Sequence, residues 1–306
     1  MIIFFGDLHC QEKEPHRTAC LDFLDYLYKN FNHCTILCGG DLFHQSSHNH
    51  RLVDSVIERI SKFNDFRIIS GNHDQSRRLS NILLPFRHYD GITIYSERTE
   101  FEIEDIKFIA LPSKPGYEKE YENIEGTWDY SLCHFEPIQK SFNSTGIELK
   151  FKVNTAHIFA HIHEYDEYID NFGNKVLISG SVVSTRYGEQ DWEKNLYEIT
   201  KEGFKKQSIP QMFTYQTLNY GEFPENKNNI LNVINAPSVP AVWEKYKDYF
   251  IRRDGIQVLR TENESELKDV VFESGNIIDK FNRYATEKSI PLEIVSCANQ
   301  YLQEVV

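Results

Sequence analysis

The chain has 306 residues, 40% hydrophobic and 26% charged, with 15 Gly and 10 Pro. That composition excludes a disordered, collagen-like or disulfide-framework protein and, at roughly 150 residues per domain, points to one large domain and a small one. With 46 acidic against 33 basic residues the net charge is -13, which argues against gripping nucleic acid by bulk electrostatics alone but leaves room for phosphate to be met through bound cations.

The first residues, Met1-Ile2-Ile3-Phe4-Phe5-Gly6-Asp7, lack the basic region of a signal peptide. No run approaches the roughly 18 apolar residues of a membrane span. The six cysteines, Cys10, Cys20, Cys34, Cys38, Cys133 and Cys297, are scattered. Cys34 and Cys38 lie about 13 Å apart if extended, too far for one disulfide or one metal. Reduced thiols in a cytoplasmic, membrane-free setting are therefore expected.

From residue 1 to about 110, short apolar runs alternate with helix-period segments, the signature of strands joined by crossover helices. The expected strands are Ile2 to Phe5, Thr35 to Cys38, Phe66 to Ile69 and Ile92 to Tyr95. Between them, Leu21, Leu24, Leu27, Tyr28 and Phe31 share one helical face, as do Val53, Val56, Ile57 and Ile60. From about 100 to 210 paired strands are expected: Phe101 to Ile103 with Lys107 to Ala110, and Tyr165 to Ile169 with Lys175 to Ile178 across the Asn171-Phe172-Gly173-Asn174 turn. Near 210 to 240, Pro210, Gly221, Pro224, Pro237 and Pro240 mark a boundary. Beyond it, Ile230 to Ile234, a helix around Ala241 to Phe250, and Ile256 to Leu259 read as a β-α-β unit. Helical segments follow, with the apolar set Val270, Val271, Ile277, Ile278 and Phe281.

Chemistry-bearing residues gather at strand ends. Asp7-Leu8-His9 follows the first strand, Gly39-Gly40-Asp41 the second and Gly71-Asn72-His73-Asp74 the third; Cys133-His134 and His161-Ile162-His163 end two later ones. In a parallel sheet such ends lie side by side at the carboxyl edge, where α/β proteins place their sites. Taken singly, each motif has an ordinary reading as a turn or a core histidine. Together they hold ligands for two cations sharing one carboxylate. Mixed N/O donors without thiolate suit Mn²⁺, Fe²⁺ or Zn²⁺, and two such ions about 3.5 to 4 Å apart serve phosphoester hydrolysis.

Gly6-Asp7-Leu8-His9, Gly40-Asp41-Leu42-Phe43, Gly71-Asn72-His73-Asp74, His134 and His161-Ile162-His163 resemble the five motifs of the calcineurin-like metallophosphoesterases. Within them, Gly39 to His44 and the stretch from Gly180 to Glu189 resemble the SbcD-type DNA-repair nucleases. The resemblance implies an α/β fold: a metallophosphoesterase-type β-sandwich flanked by helices over residues 1–212, with a small C-terminal α/β capping domain and helices over 213–306. It places Asp7, His9, Asp41 and His163 on one metal and Asp41, Asn72, His134 and His161 on the other, most simply two Mn²⁺. His73 then stands beside the scissile phosphate and His44 near the substrate. The implied activity is a two-metal DNA nuclease, exonuclease or endonuclease, working as a homodimer with an SbcC-like SMC-type ATPase. The alternatives are a small-molecule or nucleotide phosphodiesterase on the same core, and a scaffold without metals. Two departures stand out: Ala160 where the family has Gly before His-x-His, and Ser46 to His50 in place of Arg-Pro. His48 and His50 are read as solvated loop residues; His157, His16, His33 and His88 as structural or surface; Trp128, Trp192 and Trp243 as core or interdomain packing.

Overall fold

The computed structural model describes residues 1–258 apart from 76–80, 115, 142–145, 187, 190–191, 225–226 and 228. The apolar set Val270 to Phe281, Cys297 and the end of the expected β-α-β unit at Leu259 lie outside the described residues.

The chain opens with β1 (Ile2–Phe5), α1 (His16–Phe31), β2 (Thr35–Cys38), α2 (His50–Ile60), β3 (Phe66–Ile69) and β4 (Ile92–Tyr95). Then follow β5 (Thr99–Ile103), β6 (Ile106–Leu111), β7 (Tyr130–Cys133), β8 (Ala156–Phe159), β9 (Asp166–Ile169) and β10 (Lys175–Ile178). The last described elements are β11 (Asn195–Ile199), β12 (Phe204–Ser208), β13 (Tyr215–Asn219), β14 (Ile230–Ala236), α3 (Val239–Lys245) and β15 (Phe250–Val258).

Two six-stranded sheets form, in the orders β12-β11-β1-β2-β3-β4 and β5-β6-β7-β8-β10-β9. β1, β2, β3 and β4 run parallel, with Phe5 opposite Cys38 and Cys38 opposite Ile68, so their carboxyl ends align. β6, β7 and β8 are likewise parallel, with Cys133 opposite Phe159. Alternation along β1 decides the layering. Ile2 and Phe4 turn into a core shared with Leu37, Phe108, Tyr130, Leu132 and Ile158 of both sheets. Ile3 and Phe5 turn outward beneath Phe23, Leu24 and Leu27 of α1 and Val56 and Ile60 of α2.

Helix α2 starts where the Asn49 side chain accepts the Leu52 amide at 3.0 Å, a capping contact worth about 1 kcal/mol. The two helices cover one sheet face. The outer face of the second sheet is covered instead by loop residues such as Tyr121, Trp128, Phe135 and Phe151 packed on Ile109, Cys133 and Phe159. The expected hairpin forms between β9 and β10: Asp170 accepts the Phe172 and Asn174 amides at 2.9 and 2.7 Å, and Gly173 takes φ +81°.

The chain after 213 adds a parallel three-stranded sheet, β13-β14-β15, with α3 crossing between its last two strands. Its apolar layer is Leu218, Leu231, Val233, Val242 and Tyr246, while Phe213 and Ile230 join the cluster around α1. Helix α3 is shorter than its apolar pattern suggests. It begins after Ser238, whose hydroxyl accepts the Ala241 amide at 3.3 Å, and ends at Lys245, leaving Phe250 to open β15. Trp243 is exposed, correcting its reading as a packing residue: the short helix buries Val242 and turns the indole to solvent. Trp128 is core and Trp192 half-buried.

Candidate metal centre

The carboxyl ends of β1, β2 and β3 in one sheet and of β7 and β8 in the other meet at one edge of the sandwich, and backbone contacts lock them. The His9 amide donates to the Asp41 carbonyl at 2.8 Å, and the His161 amide donates to Asp7 Oδ2 at 2.8 Å, tying the two sheets together. Asp74 is fully buried and accepts the Phe43 and Gly71 amides, each at 3.0 Å, joining the loops after β2 and β3. Asp7, His9, Asp41 and His161 all take positive φ, between 47° and 79°. Backbone strain of this kind costs about 1 to 3 kcal/mol per residue and persists where the surroundings over-determine it. Two glycines are required by close approach: a Cβ on Gly40 would lie 2.2 Å from His134 Nδ1, and one on Gly71 would lie 2.0 Å from Asp41 Oδ1. Ala160 is absent from the positive-φ residues, so its methyl in place of glycine brings no strain.

Two groups of side chains converge. In the first, the ligand atoms of Asp7, His9 and His163 lie within 4.8 Å of one another; His9 Nε2 is 2.9 Å from His163 Nε2 and 3.6 Å from Asp41 Oδ2. In the second, Asp41, His134 and His161 meet the same criterion. His134 Nε2 is 3.2 Å from both Asp41 Oδ2 and Asn72 Oδ1, and His161 Nδ1 is 2.9 Å from Asn72 Oδ1. Asp41 Oδ2 faces both groups. A third grouping, His9, His44 and His73, shares His9 with the first and has no carboxylate, so it is the poorer host for a dication. His73 directs Nδ1 to the His44 carbonyl and its amide to Asp41 Oδ1 at 2.9 Å, and its ring stacks on His44.

The donor set fits divalent cations. Asp7 Oδ1 is buried with no hydrogen-bond partner, and two imidazole nitrogens face each other across 2.9 Å, an arrangement that a shared cation satisfies. Two of the ligand histidines have their other ring nitrogen held by the protein, as such ligands commonly do: His134 Nδ1 meets the Gly39 carbonyl at 2.9 Å, and His163 Nδ1 meets Glu189 Oε1 at 2.9 Å, whereas His9 Nδ1 has no partner among the described residues. Burial raises Asp7 to about 6, partly offset by His134 and His163. Burial likewise opposes the ionised Asp41, but His134 and His9 outweigh it and hold Asp41 below the usual carboxylate range. Burial disfavours charge on His134, yet Asp41 and Asp7 raise it to about 10. Burial, with His134 as a like-charged neighbour, lowers His161 to about 4. The buried carboxylates and imidazoles thus set one another's charge across the site.

All nine residues singled out in the sequence, Asp7, His9, Asp41, His44, Asn72, His73, His134, His161 and His163, lie at this edge. His48 requires a correction. Its side chain is 1% exposed, packed on the Phe43 ring with Nδ1 3.6 Å from a Glu12 oxygen, so the imidazole is enclosed although the residue as a whole is half-buried. His50, at the start of α2, is exposed. His157 is buried on the Ser131 hydroxyl, His16 on Phe213, and His33 and His88 are exposed. Sequence reasoning gave no role to Glu189, which is fully buried against His163. Its signal was its place at the end of the Gly180 to Glu189 stretch that carries the family resemblance.

No curated protein matches the chain in sequence. Among solved structures, it is similar to a novel archaeal phosphodiesterase at 15% identity and TM-score 0.38, over 68% of this chain and 99% of that one. It is also similar to a Vps29 single mutant from Entamoeba histolytica at 16% identity and TM-score 0.35, over 68% and 97% of the respective chains. The model of the calcineurin-like phosphoesterases matches residues 1–165, more than half of the 306 residues and all five ligand-bearing strand ends. The chain therefore belongs to the calcineurin-like phosphoesterase family, hydrolases of phosphoester bonds that use divalent metals.

Proposed function

We propose that the protein is a two-metal phosphodiesterase acting on DNA, a nuclease of the SbcD type. The observation that carries this reading is the convergence of Asp7, His9 and His163 on one side of Asp41 and of Asn72, His134 and His161 on the other. Asp7, His9, Asp41 and His163 would hold one ion, and Asp41, Asn72, His134 and His161 the second, with Mn²⁺ the occupant best suited to mixed oxygen and imidazole donors. Divalent ions bound there supply the charge that polarises a phosphoryl oxygen and stabilises the leaving oxygen.

The chain's own residues do the rest. A carbonyl can only accept, so the His73 contact with the His44 carbonyl puts one proton on Nδ1 and fixes the ring's orientation; a second proton, on Nε2, is the one the ring would donate to the phosphoryl group or the leaving oxygen. The His44 ring stacked on His73 limits its rotation. Asp74 holds the loop of His73 to the loop of Asp41, so the imidazole and the bridging carboxylate move together.

DNA is favoured by the motif resemblance and by a groove of about 700 Å³ that reaches the site at Thr185, lined by Lys13, His16, Arg186, Tyr215, Phe250 and Arg252 among others. Cations interleaved with rings are the means by which proteins track a polynucleotide backbone and stack its bases. An SbcC-like ATPase and a second copy of the chain would supply the basic surface that a net charge of -13 withholds. The same charge favours a second reading, a small-molecule or nucleotide phosphodiesterase. A cavity of about 380 Å³ beside Asn72, His134 and His161, bordered by Glu118 and Glu136, is large enough for such a substituent. The two readings separate on cleavage of labelled single- and double-stranded DNA set beside a chromogenic phosphodiester, with and without Mn²⁺. Metal-dependent DNA cleavage supports the nuclease; hydrolysis of the chromogenic ester alone overturns it in favour of the second reading.

A further inference from the structure

We infer that Glu189 is a positioning residue for the metal centre, acting through His163; the inference rests on the two-metal reading above. Glu189 is fully buried, and an ion-sized charge taken out of water costs several kcal/mol unless donors surround it. Four donors do. The Thr185 amide reaches Oε2 at 2.7 Å, the Thr185 hydroxyl Oε1 at 3.1 Å, Arg186 Nε Oε1 at 3.2 Å, and His163 Nδ1 Oε1 at 2.9 Å. Three of these tie Glu189 to Thr185 and Arg186 and fix where the carboxylate stands. The fourth uses that fixed carboxylate to orient a ring.

The consequence for His163 follows from valence. A carboxylate accepts, so Nδ1 carries the proton and donates it, and the Nε2 lone pair is left pointing at His9 Nε2, 2.9 Å away, within the group formed with Asp7. The carboxylate thereby selects the tautomer that can bind a cation, holds the ring plane and makes Nε2 more basic. His163 has no buried strand to hold it. It sits two residues beyond the end of the β8 loop turn at His161 and is half-buried, whereas His134 is fully enclosed and rests on the Gly39 carbonyl. The more loosely seated ligand is the one given a carboxylate. Behind Glu189, Lys194 is 2% exposed and donates to the Ser181 hydroxyl at 3.1 Å, adding positive charge without touching His163.

The test is calorimetric titration of Mn²⁺ into the wild-type chain, Glu189→Gln, His163→Ala and the double variant, each checked for folding by circular dichroism. The expected result is a loss of about 10-fold to 100-fold in affinity at one of two sites in Glu189→Gln. The other site should be unchanged, and the double variant should lose no more than His163→Ala alone, because one path cannot be cut twice. The visible spectrum of the Co²⁺-loaded protein should change in Glu189→Gln and stay as wild type in His157→Gln, which alters a buried imidazole bonded to Ser131 rather than to Glu189. If Glu189→Gln does not fold, Glu189→Asp withdraws the carboxylate from Nδ1 while keeping its charge, and enters the same cycle. Two wild-type sites retained within threefold in the Glu189 variant, or losses that add in the double variant, overturn the inference while sparing the metal centre. A wild-type chain that binds no metal overturns both.

Discussion

Replacing Gly40 with alanine tests whether the loop after β2 is shaped by the need to seat His134. Gly40 takes φ +118°, and the added methyl would lie 2.2 Å from His134 Nδ1 and 2.8 Å from its Cγ. Three costs follow. The backbone angle is one that L-residues avoid, at about 1 to 3 kcal/mol. Making room in a packed interior costs about 1 to 3 kcal/mol. Pushing the ring away breaks its 2.9 Å contact with the Gly39 carbonyl and strands a buried polar atom, at about 1 to 3 kcal/mol. Since these share one relaxation they do not add fully, and a loss of about 4 kcal/mol is expected, much of a typical domain's stability. The same shift carries Nε2 away from Asp41 and Asn72, each 3.2 Å distant, so one metal equivalent should be lost. Gly173→Ala is the control, because Gly173 has φ +81° but nothing within 4 Å of the added methyl; it should cost only about 1 to 2 kcal/mol. Urea unfolding of both variants, with Mn²⁺ calorimetry on each, measures the difference. Equal losses of stability, with both metal equivalents kept in Gly40→Ala, would refute the reasoning.

Two further outcomes are expected. His73→Ala should keep both metals and its fold while hydrolysis of a chromogenic phosphodiester falls by a factor on the order of 10² or more, the scale of a positioned acid; metal loss on calorimetry would instead make His73 a ligand. Burial pushes Lys194 down from 10.5 to about 8 against the pull of Glu189. Between those values the unfolded chain binds the extra proton, so the cost of burying the ammonium is full below about pH 8 and fades as pH rises to 10.5. The stability of the wild type relative to Lys194→Met should therefore climb by about 3 kcal/mol across that window, and a flat difference in urea midpoints would count against it.

The strands that build the site were legible because they are four-residue, largely apolar runs cut off by Gly or Ser: β1, β2, β3 and β4 begin and end where the sequence places them. What could not be read was pairing at long range. β11 returns after nearly 200 residues to run antiparallel to β1, with Tyr197 opposite Phe4, and nothing local in Asn195–Ile199 specifies that partner. The metal-binding side chains were visible as strand-end motifs, since Asp-x-His and His-x-His carry their own spacing. Glu189 was visible only as the end of the Gly180 to Glu189 stretch, without a role, because its contact is with a neighbour 26 residues away. His48 misled for the opposite reason: a polar run around it suggests solvent, while Phe43 provides a wall that burial requires and sequence does not advertise. The α3 helix was overextended because apolar periodicity continues into β15, and only the geometry of the chain at Tyr246 ends it.

The most direct test of the two-metal centre is calorimetric titration of Mn²⁺ into the wild-type chain and Asp41→Ala. Asp41 Oδ2 lies 3.2 Å from His134 Nε2 and 3.6 Å from His9 Nε2, so among the described residues it is the carboxylate that faces both groups, and without it two cations would confront each other unscreened. The account predicts two equivalents bound by the wild type and none by Asp41→Ala. Two equivalents retained in the variant, or fewer than two in the wild type, would contradict it.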